Sequence, residues 1–235
     1  MSNNKSSTSP PAGGLERKTL GLVHTSATLV PIFAELCSKY LPHVKIFNIV
    51  DDSLIKNTIA CGELTPDTSR RVVNYAGSAQ DAGADFILFT CSSIGPAVEA
   101  AAMLTKVPVL RVDQPMADQA VQLGKRIGVI ATLPTTLEPT SDLVKRRAAL
   151  AGREIVLVSR LCEGAFDALM SGDAATHDKK VGDALKQLST EVDVIVLAQA
   201  SMARVVDTLS EADKKVPILA SPPIAIQYLA TILAP

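Results

Sequence analysis

A cysteine that ends an apolar run and is followed at once by two serines is the clearest chemical signal in this sequence. Ala84-Asp-Phe-Ile-Leu-Phe-Thr-Cys91 reads as a buried strand, and Ser92-Ser93 opens a helix from about Ile94. A thiol at the positive end of a helix has its pKa lowered, so Cys91 is expected to supply a thiolate as base or nucleophile. Cys37, inside an amphipathic helical pattern, and Cys162 read as structural cysteines. Cys61, beside Gly62 in a loop, falls between the two cases.

Hydroxyls gather at other helix starts: Thr132, Thr135 and Thr136 after one apolar run, and Ser201 in Gln199-Ala200-Ser201 after another. Their minimal role is helix capping. Two such helix starts facing each other, with Ser92 and Ser93, would also bind one or two carboxylates without an arginine. His24-Thr25-Ser26 ends the first strand, where His24 could orient a substrate or act as acid or base. Asp51 and Asp52 follow the second strand, and without a nearby His or third carboxylate they make a weak metal site. No Gly-x-Gly-x-x-Gly or phosphate-binding Gly-x-x-x-x-Gly-Lys occurs at a strand end, and no metal or nucleotide cofactor is expected.

These residues are positioned by a chain that repeats itself. Lys18-Thr-Leu-Gly-Leu-Val-His-Thr25 matches Lys125-Arg-Ile-Gly-Val-Ile-Ala-Thr132, 107 positions later. The run ending at Cys91 matches Val192-Asp-Val-Ile-Val-Leu-Ala-Gln199 at an offset of 108, and Lys106-Val-Pro-Val-Leu110 matches Lys215-Val-Pro-Ile-Leu219 at 109. Each half adds a second strand (44–49 and 154–159) and a polar amphipathic helix (about 68–82 and 175–190). The fold class is therefore α/β, with two pseudosymmetric doubly wound parallel-sheet lobes and the active site in the cleft between them. The first lobe is expected to comprise residues 18–112 and to regain the strand and helix of 215–235, with 113–214 forming the second lobe.

Composition supports this. Of 235 residues 47% are apolar but only 3% aromatic, with no Trp, so Val, Ile, Leu and Ala must fill the core, as in covered parallel sheets. The 23 basic and 24 acidic residues leave a net charge of −1, which excludes the electrostatic footprint of a nucleic-acid or anionic-membrane binder. Residues 1–17, rich in Ser, Asn, Pro and Gly, read as a disordered tail with no secretory core. The uncharged last 20 residues are split by Pro222 and Pro223 into a strand and a helix, each too short to span a bilayer. Four widely spaced cysteines without metal-site spacing fit a reducing, cytoplasmic setting. An apolar outer face on so small a chain suggests a homo-oligomer.

Across residues 18–235 the paired strand-end motifs resemble those of the aspartate/glutamate/hydantoin racemase superfamily. Cys91-Ser92-Ser93 is similar to its first cysteine motif, and Gly128-Val-Ile-Ala-Thr132-Leu-Pro-Thr135-Thr136 to its Thr-x-x-Thr segment. The resemblance implies two pseudosymmetric α/β halves and a small carboxylate substrate. In the racemases it also implies one catalytic cysteine from each half. Members usually read Val-Leu-Gly-Cys-Thr at the second motif, whereas this chain reads Val196-Leu-Ala-Gln199-Ala200-Ser201. An amide has no useful proton affinity near neutral pH, so Gln199 cannot be a second base.

Three reactions are compatible with a single thiol. His24 could supply the second proton of a racemase or epimerase. Cys91 could protonate an enediolate from one side after loss of carbon dioxide, as in the similar arylmalonate decarboxylases, whose cysteine comes from the other half. Cys91 could also add to a double bond, as in the similar maleate isomerases, with Gln199 holding a carboxylate. In each, Cys91 is catalytic, and Thr25, Ser26, Asp52, Ser92, Ser93, Thr132, Thr135, Thr136, Ala200 and Ser201 bind substrate. A non-catalytic carboxylate-binding protein is the alternative of a different class. Selectivity would come from the loops at 51–67 and 160–176.

Overall fold

Short runs of Val, Ile and Leu alternate with longer amphipathic stretches, and each run becomes a strand while each stretch becomes a helix. A computed structural model describes residues 17–234; residues 1–16 of the expected tail lie outside the described residues. The first half contains β1 (Thr19–His24), α1 (Leu29–Tyr40), β2 (Lys45–Val50), α2 (Ser53–Cys61), α3 (Pro66–Asp81), β3 (Phe86–Phe89), α4 (Gly95–Ala102) and β4 (Val109–Arg111). Helix α5 (Gln114–Leu123) leads into β5 (Arg126–Ala131), α6 (Pro134–Leu150), β6 (Val156–Leu161), α7 (Ala165–Met170) and α8 (Ala174–Leu188). The second half closes with β7 (Val194–Leu197), α9 (Ala203–Thr208), β8 (Ile218–Ala220) and α10 (Ser221–Ile232). Single 3-10 turns, Ser92–Ile94 and Ala200–Met202, follow β3 and β7.

All strand pairs are parallel, in two four-stranded sheets ordered β2-β1-β3-β4 and β6-β5-β7-β8. Each order reverses direction between its first two strands in sequence and the third. The carboxyl ends of β1 and β3, and of β5 and β7, therefore flank the crevices where ligands bind in such sheets. The central strands are buried on both faces, which explains why β3 and β7 are uninterrupted apolar runs. Gly21 on β1 and Gly128 on β5 admit close neighbours: an added Cβ would lie 2.9 Å from the Phe47 ring of β2 in one lobe and 2.8 Å from Leu188 of α8 in the other.

The expected lobe boundary is corrected at the C-terminus. Strand β8 does not return to the first lobe but pairs with β7, Ile195 opposite Ile218 and Leu197 opposite Ala220. The internal repeat accounts for this, since residues 215–219 are the counterpart of 106–110, and the strand formed there, β4, borders β3. Only helix α10 crosses over: Ala225, Ile226 and Leu229 join Leu20, Leu22 and Phe33 in the first lobe's core. Helix α5 makes the reciprocal crossing, with Met116, Ala117 and Ala120 packed against Val129 and Val196 of the second lobe. The larger exchanged side chains, Ile226, Leu229 and Met116, contribute roughly 1.5–3 kcal/mol each by burial, so the exchange holds the lobes in register.

Polar contacts reinforce that register. Arg111, 1% exposed, donates to both carboxylate oxygens of the fully buried Asp113 at 2.7 and 2.8 Å and to Glu99 at 2.5 Å. Arg146 on α6 reaches the same Glu99 oxygen at 2.9 Å, tying α4 of one lobe to α6 of the other. Among the described residues, no helix is long and apolar enough to cross a membrane.

Candidate active site

A cavity of about 420 Å³ opens between the lobes at the carboxyl ends of the strands. Thr25, Ser26, Asp52, Cys91, Ser92 and Ser93 line it from the first lobe. Thr136, Gln199, Ala200 and Ser201 line it from the second. The loops that carry these residues are fixed by the strands beneath them, which is why residues far apart in sequence converge. Ser93 Oγ and Thr136 Oγ1 lie 2.7 Å apart, so a hydroxyl pair bridges the two lobes on the cavity wall.

Cys91 follows β3 with extended backbone, and the 3-10 turn after it aims the N–H groups of Ser93 and Ile94 at the thiol. The expectation of a lowered pKa is nevertheless corrected. Loss of solvent pushes the thiol up, and this outweighs the downward pull of the Thr25 and Ser93 hydroxyls and the two backbone N–H groups. One turn of 3-10 helix offers few aligned dipoles against that desolvation. This setting favours the protonated thiol.

Gln199 occupies the pseudosymmetric place. Its Oε1 accepts from the backbone N–H of Thr132 at 2.5 Å and from the Thr132 hydroxyl at 2.9 Å. Thr132 is the repeat partner of Thr25, so the pair Gln199–Thr132 mirrors Cys91–Thr25. With Oε1 doubly engaged, the amide N–H groups are what Gln199 has left to offer a ligand, as donors only. Thr132 itself is not part of the cavity lining; it acts on the site through Gln199. Thr135 also lies off the lining, its Oγ1 buried without a hydrogen-bond partner among the described residues.

His24 is the clearest departure from expectation. It is fully buried, absent from the cavity wall and packed against the Phe33 ring at 5.5 Å. Its Nδ1 lies 2.8 Å from Thr90 Oγ1 and its Nε2 2.9 Å from Asn48 Oδ1. Burial lowers its pKa, with the Asn48 contact opposing, so it is a neutral ring whose two nitrogens are both occupied. It positions Thr90, which does line the cavity, and it cannot reach a substrate as the second acid or base.

Four polar residues line the cavity that the sequence analysis does not single out: Thr28, Lys56, Thr90 and Ser221. Ser221 follows β8 as Val112, also in the lining, follows β4; the same repeat identifies it once the fourth strand end of each half is read with the other three. Lys56 pairs with Asp52 at 2.5 Å, one helical turn away, and both are exposed at the rim. Asp51 turns away from the cavity. Burial opposes its ionisation, but Ser53, Tyr75 and Arg71 outweigh this and hold its carboxyl below the usual range. Among the described residues no group of three His, Cys, Asp or Glu side chains gathers as a metal site.

This arrangement can be compared with known proteins. The family model for Asp/Glu/hydantoin racemase matches residues 20–229. The chain belongs to the Asp/Glu/hydantoin racemase family. Among curated proteins none matches the sequence. Solved structures share the fold: glutamate racemase isoform RacE1 of Bacillus anthracis is 19% identical with a TM-score of 0.69, over 92% of this chain and 81% of that one. The allantoin racemase of Klebsiella pneumoniae is 16% identical with a TM-score of 0.67, over 92% and 88%. A glycine-to-cysteine mutant of arylmalonate decarboxylase, in a sulfate-associated form, is 18% identical with a TM-score of 0.56, over 92% and 93%. This member of the racemase family thus shares its two-sheet architecture with racemases and with a decarboxylase alike.

Proposed function

We propose that the chain is a cofactor-independent enzyme that moves a proton at the carbon next to a carboxylate of a small substrate, with Cys91 as the proton carrier. The observation that carries this reading is the pairing of Cys91 with Gln199 at equivalent places on the two sides of one cavity. Apart from the Asp52–Lys56 pair at the rim, Cys91 is the titratable group among the described residues of the lining. Backbone N–H groups and the hydroxyls of Ser92, Ser93, Ser201 and Ser221 supply donors for carboxylate or enolate oxygens.

Family membership makes racemisation the first reaction to consider, and racemisation needs a proton carrier on each face. With Gln199 on one face and His24 buried elsewhere, the site favours delivery from the Cys91 face alone. Decarboxylation of a substituted malonate needs no more than that. Carbon dioxide leaves, its bonding electrons remain on carbon as an enediolate, the carbon takes the proton of Cys91, and water returns a proton to the thiolate, its hydroxide combining with the carbon dioxide as bicarbonate.

Proton NMR in heavy water on aspartate, glutamate, hydantoins, maleate and substituted malonates, with wild type and Cys91→Ala, tests the proposal. Deuterium is expected beside the carboxylate of at least one compound, and its appearance should slow by about 100-fold or more in Cys91→Ala. Equal incorporation by the variant, or no reaction with any member of the panel, would overturn the proposal.

A further inference from the structure

Helices α2 and α7 are equivalents under the internal repeat, each following the second strand of its half, and both turn apolar side chains toward the cavity. On α2 these are Ile55 and Ile59, one helical turn apart; on α7 they are Phe166, Leu169 and Met170, three and four residues apart. Met170 is 68% exposed and Ile55, Ile59, Phe166 and Leu169 are partly exposed, an apolar surface that a ligand in the cavity would cover. The strand ends bring polar groups to the same cavity, Cys91, Ser92, Ser93, Ser201 and Ser221.

Charge sharpens the contrast. No arginine is among the described residues of the lining, and its one lysine, Lys56, is already paired with Asp52. A side-chain carboxylate such as that of aspartate or glutamate would therefore lie against these apolar side chains without a free cation, at a substantial desolvation cost. An aromatic or large alkyl group would instead cover Ile59 and Phe166, and Phe166 is the only aromatic ring in the described lining.

We infer that the substrate carries its reacting carbon between a carboxylate and one bulky apolar substituent, and that α2 and α7 clamp this substituent. This rests on the proposal that the cavity is the reaction site. Ile59 and Phe166 are then the specificity-determining residues, and acidic amino acids are excluded by them.

The test uses alkylation of Cys91 by iodoacetamide, followed by peptide mass spectrometry so that the exposed Cys61 is counted separately. Phenylacetate is expected to protect Cys91 at concentrations about tenfold or more below those of succinate. In the double variant Ile59→Ala/Phe166→Ala that preference should shrink to about threefold or less, and Phe166→Lys should turn it toward succinate. Equal or better protection by succinate in the wild type, or an unchanged preference in both variants, would overturn the inference. The readout needs no turnover. Selective protection by phenylacetate without any reacting compound leaves the clamp standing while the proton-transfer proposal fails. Cys91-dependent deuteration of aspartate as fast as that of phenylglycine does the reverse.

Discussion

Replacing Gln199 by cysteine restores a thiol at the pseudosymmetric mate of Cys91 and should convert one-sided proton delivery into exchange on both faces. Two structural terms set the size of the effects. The substitution removes the acceptor of the Thr132 N–H and hydroxyl, both held at 2.9 Å or less, and leaves Thr132, 5% exposed, with an unsatisfied backbone donor. That costs about 1–3 kcal/mol, which for a chain of this length lowers Tm by roughly 2–12 °C. A properly placed acid or base contributes about 10²–10⁴ in rate, so racemisation of the chiral product should rise by at least the lower figure. The assay follows one enantiomer of the product in heavy water by NMR and chiral chromatography, beside a thermal melt. The reasoning is refuted if wild type already racemises the product as fast as Gln199→Cys, since a second proton carrier would then exist where none is described. A melt unchanged by the substitution would separately refute the role given to the Thr132 contacts.

Breaking the inter-lobe ion network is expected to be severe: Asp113→Ala leaves the buried Arg111 without its main partner and should cost about 3–5 kcal/mol in urea denaturation. Cys37 and Cys162 are pushed by burial up to about 11 from an ordinary 9.0. The folded state thus favours the protonated thiols, and their contribution, roughly 2–3 kcal/mol each, is present below pH 9 and lost as pH rises toward 11. Cys37→Ala should flatten that alkaline slope in pH-dependent denaturation. His24→Gln should lower stability by about 1–3 kcal/mol, from the lost Thr90 and Asn48 contacts, without altering the pH dependence of proton transfer. A change in that pH profile would restore His24 as an acid or base.

Strand ends were legible in the sequence because a parallel sheet demands uninterrupted apolar runs and then releases the chain at a polar residue. Cys91, Thr132 and Gln199 were found in this way, and the repeat aligned the two halves. Side-chain direction was not legible. His24 and Thr25 are adjacent, alternate residues of a strand end point to opposite faces, and nothing in their order tells which one meets the cavity. The direction of the thiol's pKa was not legible because the helix after Cys91 begins as a single 3-10 turn whose dipole is outweighed by burial, and burial depends on packing that residue order does not show. Strand β8 was assigned to the wrong sheet although its repeat partner β4 pointed to β7. Helix α10 does pack on the first lobe, so strand and helix part at Ala220 and do not travel as one unit. The apolar faces of α2 and α7 could have been read from the spacing of Ile55 with Ile59 and Phe166 with Met170. That they face one cavity required the fold.

The central claim is that one neutral thiol delivers the proton from one side. Its most direct measurement is the handedness of the product formed from a prochiral substituted malonate, such as methylphenylmalonate, in heavy water. A product of one hand, carrying a single deuterium and formed at a rate that collapses in Cys91→Ala, is the expected result. A product of both hands in equal amounts, or one formed as quickly by Cys91→Ala, would contradict the account.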